Sequence, residues 1–269
     1  MTIHKNIKFL AGAILCSALL SAQSIPVAKQ PQPKSQKEVD AIMALQNAMQ
    51  KQDYDGSIKL AEEVMTKFAD TEFKPMALQV ISGIYQAKGD ADKAILYAER
   101  LLEADPKSYT GMILIATMTA QQTREHDLDR EEKLKKVEKM ALGAREIIKD
   151  APKPREDLTD EQWIAFRKDL TSQTHEAMAM AAQARKNTDG AIDEFKKAIE
   201  VANSPDPATM VRLGSLYVNS NKPDEAIVLF DRAAADPQAT AQIKQIAATE
   251  KEKAAKMKSG APAPPAPKP

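Results

Sequence analysis

Three histidines and one cysteine are the side chains of this 269-residue sequence that most directly suggest metal or thiol chemistry. His4, His126 and His175 stand far apart. None belongs to an HExxH pattern or has a histidine four residues away, the spacing that sets two imidazoles on one helical face. His175 precedes Glu176 in a stretch of helical periodicity and reads as a surface or partly packed histidine. The phosphate-cradling GxxxxGK[ST] and GxGxxG loops are missing, and so is the GxSxG nucleophile turn. Acidic pairs such as Glu62-Glu63 and Glu131-Glu132 are adjacent in sequence. Neighbours on a helix diverge, so these carboxylates cannot converge across a cleft as glycoside hydrolysis requires. The run "DREEKLKKVEKM" alternates in sign and reads as an exposed, ion-paired helix rather than a nucleic-acid patch. The residues therefore predict no catalytic group, no cofactor and no metal, and a protein that is not an enzyme.

The elements that would have to position any site are helical. Lys+Arg and Asp+Glu both number 38, so no global field attracts nucleic acid or an anionic membrane. Glycine is scarce, aromatics make up 4%, and Ala, Lys, Glu, Gln and Met abound, which favours helix over strand. Residues 1–22 read as an export signal: Lys5 and Lys8, an apolar run from Phe9 to Leu20, then Ser21 and Ala22. The run is too short to span a bilayer comfortably. Cys16 follows Ile14 and Leu15 rather than small residues, which argues against lipidation. Cleavage near Ala22 would remove the only cysteine, and with it any thiol chemistry. No stable membrane span is expected after cleavage. The expected location is periplasmic or extracellular.

Internal repetition dominates the rest. "IYQAKGDADKAILYAERLLEADP" at 84–106 returns as "LYVNSNKPDEAIVLFDRAAADP" at 216–237. In the first copy Leu78, Ile81, Ser82 and Tyr85 precede Gly89, then Ala94, Ala98, Leu101 and Pro106. In the second, Met210, Leu213, Gly214 and Tyr217 precede Ala226, Phe230, Ala233 and Pro237. Small residues let two helices approach, large ones fill the space beside them, and the proline ends the second helix. Units open near 38, 75, 109, 172 and 207. The interval from 109 to 172 is too long by most of a repeat, leaving an irregular insertion at about 123–171. Within it Thr159 and Gln162 form a capping box, with Leu158 and Trp163 placed as a hydrophobic staple. A long helix is predicted from there to about Asn187.

This spelling resembles the tetratricopeptide repeat. The resemblance implies an all-α, right-handed α-solenoid of about five helical hairpins over 37–258, closed by a C-terminal capping helix. The Pro/Gln-rich residues 23–36 are expected to be a flexible leader, and the Pro/Ala-rich residues 259–269 an extended, disordered tail. The resemblance also implies a concave groove lined by the first helix of each hairpin. Carried over by frame, its positions are Ile42, Gln46 and Met49, then Gln79, Gly83 and Gln86, then Ile113, Thr117 and Gln121. The fourth unit supplies Glu176, Met180 and Gln183, and the fifth Val211, Ser215 and Asn219. The partner-binding residues expected are Gln46, Met49, Gln79, Gln86, Thr117, Gln121, Met180, Gln183, Ser215 and Asn219. The set lacks the Lys and Arg with which some family members grip a peptide's terminal carboxylate. Amides suit an extended backbone instead. The expected function is an exported, non-catalytic scaffold that binds a protein or peptide in this groove. The alternative is a subunit or assembly factor of an outer-membrane, pilus or secretion complex.

Overall fold

The computed structural model describes residues 24–259, so the signal segment and the tail 260–269 lie outside the described residues. Five helical hairpins follow one another: α1 (Gln36–Gln50) with α2 (Tyr54–Lys67), α3 (Lys74–Ala87) with α4 (Ala91–Ala104), α5 (Tyr109–Gln122) with α6 (Arg130–Lys149), α7 (Asp160–Ala184) with α8 (Thr188–Val201), and α9 (Pro207–Asn219) with α10 (Pro223–Ala235). A final helix, α11 (Ala241–Lys258), packs on both α9 and α10 and covers the last apolar face. Each helix packs on the next in the chain, and α5 also packs on α7, which stacks the hairpins into a right-handed solenoid.

The same turn closes four hairpins. Gln52, Gly89, Lys186 and Asn221 all sit at positive φ, between 56° and 74°. The residue after each donates its N–H to the carbonyl five residues back: Asp53 to Ala48, Asp90 to Tyr85, Asn187 to Ala182 and Lys222 to Tyr217, at 2.8–3.0 Å. This is the Schellman closure, which satisfies carbonyls that the helix end leaves open. Asp53, Asp90 and Asn187 then cap the following helix through their side chains. Three of the four left-handed residues carry a side chain, at a cost that glycine avoids. The exposed Gln52 is therefore expected to gain up to about 1 kcal/mol of stability as Gln52→Gly. A lower melting temperature would contradict the shared turn.

Packing follows the small-large alternation. Ala94, Ala98, Ala191, Ala198, Ala226 and Ala233 are fully buried on the second helices, with Leu101, Phe195 and Phe230 beside them. Tyr85 and Tyr217 occupy the same place, three residues before the C-cap of α3 and α9. Each packs into the cluster of its own hairpin, with a lysine amino group over its ring at 5.0 and 5.8 Å.

The irregular middle proves to be helix added to an ordinary hairpin. α6 is extended to 20 residues, and α7 begins about three turns ahead of the expected opening at Ser172. Thr159 and Gln162 form the capping box, and Leu158 packs with Trp163. Trp163 is fully buried and donates from Nε1 to the Ala151 carbonyl at 2.9 Å.

The leader departs from expectation. Residues 24–35 carry no helix, but they lie against the solenoid as a strap. Ile25 packs into the Trp163 cluster, and its N–H donates to Asp160 Oδ2 at 2.9 Å. Val27 makes a parallel bridge with Lys153, and Gln30 bonds the Pro154 carbonyl. Lys34 Nζ then reaches the Asp70 carbonyl, and Ser35 caps α1. Prolines and glutamines did not predict this, because the backbone of the 151–154 loop supplies the partners.

Candidate functional site

The first helices α3, α5 and α7 wall three hollows that follow one another along the stack. The central one, about 220 Å³, lies between α3, α5 and α7, with Gln79 and Gly83 facing Leu170 and Gln173 across Ile113 and Thr117. It shares Gln79 and Gly83 with an apolar hollow of about 440 Å³ bounded by Met49, Tyr54, Met76 and Val80. It shares Gln86, Thr117 and Gln173 with a polar hollow of about 370 Å³ that ends at Asp169, Glu176 and Asp206. Shared wall residues place the three side by side, a row that forms a furrow from α1 to the start of α9.

Of the residues expected to form the groove, Met49, Gln79, Gln86, Thr117 and Gln121 line this furrow. The three glutamines are exposed. Thr117 is buried, and its hydroxyl bonds back to the Ile113 carbonyl at 2.9 Å, so it offers floor rather than a free donor. The cause is the setting of α5, which lies between α4, α6 and α7 and is buried on nearly every side. Gln46, Gln183, Ser215 and Asn219 line none of these hollows. Gln46, Gln183 and Asn219 are exposed, and Ser215 is half-buried. Met180 lines none of these hollows; it is half-buried and packs against two core clusters, a common use of a flexible thioether. Ile42, Ile113 and Val211 also belong to the core, although Ile113 shows an edge to the central hollow.

Asp169, Gln173 and Asp206 escaped the sequence reading. Asp169, Gln173 and Glu176 recur at i, i+4 and i+7 and so share one stripe of α7. The capping box at Thr159 had already placed the helix start early enough to reveal them. Asp169 Oδ1 accepts from the N–H groups of Asn203 and Ser204 at 2.7 and 2.9 Å. Asp206 caps α9 through the N–H groups of Ala208 and Thr209. Glu176 is half-buried. Burial raises its carboxyl above the ordinary range, the Asp206 charge adds to the rise, and hydrogen bonding to Thr209 and the nearby Arg212 oppose it.

His175 points away from the furrow. Its Nδ1 lies 2.7 Å from Glu194 Oε2 and 3.3 Å from Arg145 Nη2. One ring nitrogen cannot donate to the carboxylate and also accept from the guanidinium, and the shorter contact assigns its proton toward Glu194. Burial lowers the His175 pKa, and Glu194 partly offsets that effect. Arg145 Nε also donates to Thr174 Oγ1 at 3.1 Å, so the cluster ties α6, α7 and α8 together. Among the described residues no group of three or more His, Cys, Asp or Glu is arranged to hold a metal ion. None of the described helices is long and apolar enough to cross a membrane.

Comparisons with known proteins agree with this architecture. A family model described as tetratricopeptide repeat matches residues 77–108, the second hairpin. TTC0263, a thermophilic TPR protein of Thermus thermophilus, aligns in structure with a TM-score of 0.55 and 14% identity, over 79% of this chain and 98% of its own. The MamA protein aligns at 0.49 and 13% identity, over 85% and 98% of the two chains, a likeness too weak to argue from. No curated protein sequence matches the chain. At such identity the first likeness speaks for the fold alone. One hairpin matched by the family model, the recurring turn and the stacked small-large packing together give this chain the architecture of tetratricopeptide-repeat proteins, a fold that generally supports protein–protein interaction.

Proposed function

We propose that the protein is an exported, non-catalytic scaffold that holds an extended segment of another protein in the concave furrow. One observation carries the reading: the exposed amides of Gln79, Gln86, Gln121 and Gln173 border adjoining hollows on three successive first helices. Amides offer both donors and acceptors, which suits an extended backbone whose own groups seek partners. The furrow is built on packed helices, so binding requires little ordering of the scaffold itself. Export to the periplasm or beyond rests on the amino-terminal signal pattern, and N-terminal sequencing of the mature protein tests it.

The binding face is tested by placing a photo-crosslinking residue at Gln86 or Gln173, and at Leu142, an exposed residue of α6 away from the furrow. Irradiation of cells and mass spectrometry are expected to give the same protein adduct from both furrow positions and none from Leu142. Adducts at Leu142 alone would move the binding surface off the furrow and favour a subunit buried within a larger envelope complex.

A further inference from the structure

The furrow changes character along its length, and that gradient selects a partner. At the α1–α3 end it is apolar, bounded by Met49, Met76 and Val80. Its middle is amide, and its α7–α9 end carries Asp169, Glu176 and Asp206, with no lysine or arginine in the lining. Among the described residues none of these three carboxylates is held in an ion pair, unlike Glu131 and Glu138, which Arg185 engages on the other side of α7. Arg212 approaches Glu176 from α9 but does not border the hollow. Each acid serves the fold through hydrogen bonds to neutral groups, and Arg212 acts on Glu176 only from a distance, so no cation is paired with these acids at the furrow wall.

Resting on the concave-furrow reading above, we propose that the occupant is an extended segment of another protein with apolar side chains at one end and a lysine or arginine at the other. The cation enters the acidic hollow and the apolar end lies on Met49 and Met76. A cation arriving beside Glu176 favours its ionised form. The two ends are about three helix spacings apart, on the order of 25–30 Å. An extended chain of about eight residues covers that distance. A volume of about 370 Å³ accommodates an extended lysine or arginine side chain together with water.

The charge can be removed without removing the fold. Asp169→Asn and Asp206→Asn keep an acceptor oxygen for the N–H groups of 203, 204, 208 and 209, and Asn caps helices as well as Asp. Glu176→Gln keeps an acceptor for Ser172. The probe is a phage-displayed library of random dodecapeptides selected on the whole mature protein. The winners are synthesised and titrated against wild type, against the triple neutralised variant, and against a Gln79/Gln86/Gln173→Ala variant. We expect a consensus in which Lys or Arg follows or precedes an apolar pair by six to nine residues. We expect at least tenfold weaker binding to the neutralised variant, and a wild-type affinity that falls with added salt. Peptides that lose binding with the glutamine variant but bind the neutralised variant unchanged would overturn the cationic partner and leave the furrow in place. Winners insensitive to both variants, or a selection that yields none, would overturn both readings. Competition by a synthetic peptide of residues 260–269, which contains Lys268, would assign the hollow to the chain's own tail and overturn the partner named here.

Discussion

Trp163→Ala is expected to destabilise the protein by about 3–5 kcal/mol, the range for truncating a large buried aromatic side chain. Trp163 is wholly enclosed by residues from three helices and the strap: Ile113, Ala144, Ile148, Leu170 and Ile25 share its cluster, and Tyr109 and Phe166 lie against its ring at 6.5 and 5.8 Å. The substitution opens a cavity that helices anchored at both ends cannot close. It also strips the buried Ala151 carbonyl of its donor. In a chain of this length each kcal/mol shifts the melting temperature by roughly 2–4 °C, so a large drop is expected in a thermal melt. Trp163→Phe fills most of the volume and loses the hydrogen bond alone, so its cost should be a fraction of the alanine value. An alanine variant that melts with wild type would mean that the long α7 is not anchored at its start.

That anchor bears on what the sequence made legible. Hairpin boundaries were readable from Gly89 in the turn and from the prolines that close the units, whereas the left-handed Asn221 and the caps Asp53, Asp90 and Asn187 emerged only in the structure. The register of Tyr85 with Tyr217 was readable because small and large residues alternate at fixed places. What could not be read was the place of a helix within the stack. Thr117 and Gln121 share a helical stripe, yet neighbours on both sides of α5 bury the first and leave the second in water. Met180 has the composition of a groove lining and the position of core, and only packing from both sides distinguishes them. The strap was invisible for another reason. The bonds of Ile25, Ala28 and Gln30 run to Asp160 and to the backbone of Lys153 and Pro154, more than a hundred residues away, and no local pattern records such partners.

Two helical glycines test the packing logic with opposite signs. At Gly214 on α9, an added Cβ would lie 2.6 Å from Cε1 and 2.8 Å from Cζ of Phe230. Phe230 is fully buried on α10, so its ring has nowhere to retreat. At Gly83 on α3, an added Cβ meets nothing within 4 Å. Replacing glycine with alanine inside a helix normally gains about 0.5–1 kcal/mol, because the unfolded chain loses freedom. Gly83→Ala should show that gain. Gly214→Ala should lose it to overpacking that costs about 1–3 kcal/mol, and Gly214→Val should fall further. Urea denaturation of the three variants reads the difference directly, with unchanged slopes confirming that stability alone has moved. Adding Phe230→Leu to Gly214→Ala should recover part of the loss, since the clash is with the ring and the two sites are then coupled rather than additive. Were Gly214→Ala to stabilise as Gly83→Ala does, α9 and α10 could not be held at the separation that small residues impose, and the nesting of successive hairpins would need another cause.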